Sequence, residues 1–241
     1  MKQEKVELFC TLGKNENDID DEKVRKLIEL SRYIFRETCK LQERDKRKIT
    51  ALLTKFCDAG RRSPPTAAFS KVVPGRPQSG ADGNRIKRWL LDKEHKFYAT
   101  EVDATLVEVK YILQALSMVG AYEFPDTLLS DSFEWLTGHK IQPSNYLDPI
   151  QLTPISLDEF FETPRMIQSG HIIPLDRGGK HVRQNAFLML ARSNQIQGNN
   201  SVPELLQYMT DVLDRHSKIP EEFTELYKKM RLREGKHFTN K

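Results

Sequence analysis

The sequence predicts an α+β chain, mostly helical, with one short β-bearing unit near residue 170. Three observations carry that prediction. Apolar residues recur at helical spacing in several stretches of the first 140 residues. A short β-like run ending at His171, Ile172 and Ile173 leads through Pro174 into Asp176-Arg177-Gly178-Gly179, a turn in which glycine can take positive φ. An apolar Leu/Met/Ala-rich piece after Asn185 suits a helix, and it stops near Gly198, a residue type that commonly ends helices. Residues 1–140 are therefore read as a helical region with a basic loop over 60–97, and residues 141–241 as a second unit with trailing helices.

The helices follow from their apolar stripes. Val24, Leu27, Ile28, Ile34 and Phe35 form one face, preceded by Asp18, Asp20 and Asp21, which suit the positive end of a helix. Ile49, Leu52, Leu53 and Phe56 form another. Between them, Lys40 to Lys48 is a dense mixed-charge run, read as a solvated face and turn rather than a recognition element. Leu106, Val109, Leu113 and Leu116 predict an amphipathic helix over 102–119. A further helix is expected from Pro125 to Leu136, with proline in its first turn. Tyr122, Phe124, Phe133 and Trp135 are expected in the core. Ser201-Val-Pro-Glu204 has the form of a capping box, and Pro220 is expected to open a last helix before a basic tail.

Composition bounds the function classes. Hydrophobic residues make up 38% and charged residues 30%, which suits a soluble globular chain, and no apolar run is long enough to cross a bilayer. The start, MKQEKVELFC, lacks the apolar centre of a secretion signal. Cys10, Cys39 and Cys57 are odd in number, far apart and outside any CxxC pair, so reduced cytoplasmic thiols are expected, and no structural zinc. A net charge of +4 permits nucleic-acid binding without arguing for it; the distribution matters more. Between Arg61 and Lys96 the basic side chains include Arg85, Lys87 and Arg88, interleaved with Trp89, Phe97 and Tyr98. Cations neutralise phosphates and planar side chains stack on bases. A solvated linker followed by an ordinary helix explains the same residues, and both readings stand.

Residue by residue, the stretch from 169 to 198 shows a longer pattern. His171 is followed by Pro174, Gly178-Gly179, Asn185 and Asn194, with Leu175 and Leu188 at intervening apolar positions. This pattern resembles the HNH endonuclease family, the ββα-metal nucleases, over roughly residues 148–200. The resemblance implies a β-hairpin followed by a helix and a metal-dependent phosphodiester hydrolase. Its match makes His171 the general base, an imidazole able to take a proton from water near neutral pH. It makes Asn194 the metal ligand, an amide oxygen suited to one Mg²⁺ or Mn²⁺ that keeps several waters. Asn185 matches the asparagine that braces the hairpin loop behind the histidine. Arg177, Lys180 and Arg192 are expected to meet DNA phosphates. His181 matches no family position and is read as a surface residue of the loop.

The chain departs from the pattern at Gly170, where many HNH proteins carry a second metal-binding Asp or His. Asp158, Glu159 or Glu162 could replace that ligand, Asn194 could hold a hydrated ion alone, as in related nucleases with Arg-Gly-His, or the site could be inactive. The large region beside a small catalytic unit suggests a part that reads a target. The sequence thus predicts a DNA endonuclease, most concretely a type II restriction endonuclease. A less specific or structure-selective nuclease and a nucleic-acid-binding protein with an inactive HNH unit are the alternatives. One such unit cuts one strand, so duplex cleavage leaves a homodimer open.

Overall fold

The computed structural model describes residues 2–14, 19–64, 85–124 and 128–217. The apolar stripes become α1 (Gln3–Gly13), α2 (Asp21–Leu41) and α3 (Lys46–Arg61). Side-chain caps fix two of their starts, which leave N–H groups unpaired unless an oxygen reaches them. Asp20 accepts from the Lys23 N–H at the start of α2, and Asp45 accepts from Arg47 and Lys48 at the start of α3. The mixed-charge run between these helices therefore supplies a cap.

The next helix, α4 (Glu101–Ala115), departs from expectation. Its apolar stripe predicts one solvated face, yet every residue from Ala104 to Ala115 is buried. Three of its buried polar side chains find partners on other elements. Glu108 accepts from Arg32 Nε at 2.7 Å, Lys110 Nζ donates to the Arg183 carbonyl at 2.6 Å, and Gln114 Oε1 accepts from the Leu188 N–H at 3.0 Å. Buried polar groups cost little only when so paired.

The predicted helix from Pro125 to Leu136 is instead two short pieces, α5 (Leu128–Ser132) and α6 (Glu134–Thr137); residues 125–127 lie outside the described residues. The chain then continues through α7 (Leu157–Glu162) into β1 (Ile167–His171), which pairs antiparallel with β2 (Ala186–Leu190), Ile167 opposite Leu190 and His171 opposite Ala186. The start of the predicted helix at 186–197 is thus a strand. Residues of good helix propensity are overridden here because β1, Gln114 and the Tyr146 hydroxyl take up the backbone groups of this segment. Only α8 (Ala191–Gln197) is helical, and it ends at Gly198 with φ 56°.

Residues Met1–Ser201 form one compact unit. One core cluster runs from Val6 and Phe9 through α4 to Ala186 and Leu188, so the helical segment and the hairpin share an interior. Phe56 meets Phe35 and Phe160 edge-on, with centroids 5.8 and 5.7 Å apart. The second unit, Val202–Lys241, is described through α9 (Val202–Ser217). The expected helix from Pro220, the basic tail and residues 65–84 of the Pro/Gly-rich connection lie outside the described residues. Cys10, Cys39 and Cys57 are not joined in a disulfide. Among the described residues, no helix is long and apolar enough to cross a membrane.

Candidate active site

The loop between the strands is closed by one side chain. Asn185 Oδ1 accepts from the Ile173 N–H at 2.8 Å, while its Nδ2 donates to the carbonyls of Ile173 and Lys180, both at 2.9 Å. Two glycines are sterically required in this closure. Gly178 has φ 84°, and a Cβ on Gly179 would lie 2.0 Å from the Ile173 carbonyl oxygen.

The closed loop folds its far end back on the first strand. His181, expected at the surface, is fully buried at 0% exposure. Its Nδ1 lies 3.0 Å from His171 Nε2 and its Nε2 lies 2.7 Å from the Gly60 carbonyl oxygen. The last carbonyls of α3 have no partner within their helix, and a ring N–H from His181 reaches one of them. The sequence held one signal for this: His181 stands ten residues after His171 in a loop whose ends an asparagine can tie together.

Arg88 is likewise not at the surface. It is 4% exposed, and its guanidinium donates to the carbonyls of Ala59, Gly60 and Phe97 at 3.2–3.3 Å. A fixed cation at the C-terminus of α3 also suits the negative end of that helix. Burial lowers Arg88 to about 10, which leaves it charged at neutral pH. Burial, with Arg88 close by, pushes His171 down to about 4 and His181 well below its ordinary value. Both imidazoles are therefore neutral at pH 7.

On the other side, α8 holds the backbone of His171 in place. Gln197, buried on that helix, donates to the His171 carbonyl oxygen at 2.7 Å. Asn194 Nδ2 donates to Gln168 Oε1 at 2.7 Å, which directs the amide nitrogen to β1 and identifies Oδ1 as the remaining group. His171, Asp176, Asn194, Gln197, Arg88 and Phe97 line one cleft of about 270 Å³. The structure thus brings His171 and Asn194 to one cleft and puts Asn185 behind it. Gln197, Gln168 and Asp176 escaped sequence reading because amides and carboxylates near turns are common.

Among the described residues, no three His, Cys, Asp or Glu side chains converge to hold a metal ion. The oxygens at the cleft, from Asn194 and Asp176, are hard donors with room for water, a set that suits a hydrated Mg²⁺ rather than a thiophilic ion. Asp176 is also paired with Lys96. Of the three carboxylates that could replace the missing ligand, Asp158 pairs with Arg44 and Glu162 with Lys48, both at 2.6 Å. At Gly170 itself, a Cβ would lie 2.1 Å from Met189 Sδ. The place of a second ligand side chain is filled by a thioether.

Of the other predicted cations, Lys87, Arg177, Lys180 and Arg192 are exposed. Arg192 is on α8, the helix that carries Asn194. Lys87 Nζ lies 5.3 Å from the Trp89 ring, and Arg85 Nε is 3.8 Å from Asp58.

The lowered pKa values of the two imidazoles make stability pH-dependent. His171 titrates near 4 in the folded chain, against an ordinary value of about 6.5 unfolded, so the unfolded chain binds protons first as pH falls. Stability is retained above pH 6.5 and lost as pH falls toward 4. At pH 5 His171 alone removes about 2 kcal/mol. Chemical denaturation of wild type at pH 7.5 and pH 5, with the same pair for His171→Gln, is expected to show a smaller acid loss in the variant; equal losses would contradict the assignment.

No family model matches this sequence, and no curated protein matches it either. Among solved structures, the chain is similar to one described as the crystal structure of a type II restriction endonuclease. The TM-score is 0.51 at 19% identity, over 70% of this chain and 78% of that one. At this identity the likeness is one of fold.

Proposed function

We propose that this chain is a DNA endonuclease, most concretely a type II restriction endonuclease of HNH type. The observation that carries the reading is the cleft in which a neutral imidazole, His171, stands with the amide of Asn194 at the end of a β-hairpin and its following helix. The likeness of fold to a type II restriction endonuclease supports it.

In this reading His171 removes a proton from the attacking water. Its low folded pKa leaves it unprotonated but weakly basic, and an anionic phosphate seated in the cleft raises it toward neutrality by charge attraction. Gln197 holds the His171 backbone, and Asn185 keeps the loop closed behind it. Asn194, with Asp176 as the nearby carboxylate, would hold the Mg²⁺ or Mn²⁺ that supplies Lewis-acid stabilisation of the phosphate charge. Lys87, Arg177, Lys180 and Arg192 supply exposed positive charge for the DNA backbone, whereas Arg88 serves inside the fold. A single cleft cuts one strand, so duplex cleavage requires a second copy of the chain or a second visit.

Supercoiled plasmid incubated with the full chain and Mg²⁺ or Mn²⁺ tests this. Cleavage that EDTA abolishes, and that Asn194→Ala reduces on the order of 100-fold, is expected. The Met189 sulfur beside Gly170 favours one second reading, a DNA-binding protein without catalysis. DNA bound but uncut with either metal would establish that reading instead.

A further inference from the structure

The His171–His181 contact fixes more than distance. The Gly60 carbonyl oxygen can only accept, so His181 Nε2 carries a hydrogen. A neutral His181 then has a lone pair on Nδ1, and the 3.0 Å contact requires the hydrogen on His171 Nε2. That leaves the lone pair of His171 on Nδ1. The opposite arrangement needs a charged His181, and a buried imidazolium near the Arg88 guanidinium is strongly disfavoured.

We propose that His181 is the positioning residue of the candidate base: through the Gly60–His181–His171 chain it locks His171 as the Nε2–H tautomer and orients its Nδ1 as the proton acceptor. The proposal rests on the nuclease reading for its catalytic consequence, but the tautomer itself does not depend on it. When water is deprotonated, the proton bonds to His171 Nδ1 and hydroxide is left. The resulting imidazolium still donates from Nε2 to His181, which remains neutral because full burial and the nearby Arg88 guanidinium disfavour a charge there. The proton goes no further along the chain, and His181 touches no reacting atom.

Two substitutions separate this role from mere packing. His181→Asn offers an amide oxygen near the Nδ1 position and keeps an acceptor for His171; the Gly60 carbonyl retains Arg88 as a donor. His181→Gln extends to the Nε2 position, keeps a donor for Gly60 and removes the acceptor. Nitrogen-15 NMR of the imidazoles in the full chain, without DNA, reads the tautomer directly. Expected are an Nε2–H His171 in wild type and His181→Asn, and loss of that single tautomer in His181→Gln. In plasmid cleavage with Mg²⁺, His181→Asn should stay within about 5-fold of wild type, and His181→Gln should fall about 100-fold, whichever variant melts lower. An Nδ1–H His171 in wild type overturns the proposal, as does a His181→Gln protein that cuts at the wild-type rate. The expected tautomers in a chain that cuts no DNA would support the lock and overturn only the nuclease reading.

Discussion

His171→Ala should lower the rate of plasmid cleavage roughly 1000-fold while leaving a folded chain, since a positioned base typically contributes about 10²–10⁴-fold. The variant also deprives His181 Nδ1 of its donor in a buried site, at a cost of about 1–2 kcal/mol. Activity should therefore be read well below the melting temperature, with circular dichroism as the check on folding. The loss should appear in the turnover rate rather than in DNA affinity, because a general base acts on the attacking water and not on the DNA backbone. Cleavage that persists within 10-fold of wild type, in a folded variant, would remove His171 from the role of base.

Asp148→Ala is expected to give a large loss of stability, about 3–4 kcal/mol. The carboxylate is fully buried, at 0% exposure, and accepts four hydrogen bonds. One oxygen takes the N–H groups of Ile150 and Gln151 and the Ser193 hydroxyl at 2.8–2.9 Å; the other takes the Leu190 N–H at 2.8 Å. These bonds join the turn at 148–151 to the junction of β2 and α8, which carries Asn194. Alanine would leave these four donors without the carboxylate that joins them. Asparagine is no remedy, since its NH₂ would face donors on one side or the other. Urea denaturation should show a lower midpoint with little change in slope. A loss below 1 kcal/mol would mean that the junction is held by other contacts.

Much of the site was legible because its parts are local in sequence. His171, Asn185 and Asn194 lie within one hairpin and helix, and glycine and asparagine mark the loop chemistry that joins them. What escaped was set by distant partners. His181 is buried only because the end of α3, 121 positions away, offers it a carbonyl. Arg88 lies in a basic cluster of the kind that meets phosphate, but three main-chain carbonyls claim it. The full burial of α4 depended on Arg32, Arg183 and Leu188 arriving as partners for its polar side chains, which its own stripe could not announce. Residues 186–190 have helix-compatible composition and become a strand through pairing with β1.

Gly60 carries a consequence for modularity. Its carbonyl receives both Arg88 and His181, and a Cβ there would lie 2.8 Å from the Glu108 backbone nitrogen, so α3 and α4 nearly touch at the same point. A fragment cut to the hairpin and its helix would keep His171, Asn185 and Asn194. It would lose the carbonyl that anchors His181 and the α4 side chains that hold Arg183 and Leu188. The hairpin-and-helix motif is therefore not a transplantable cassette: its geometry belongs to the helical scaffold as much as to the motif.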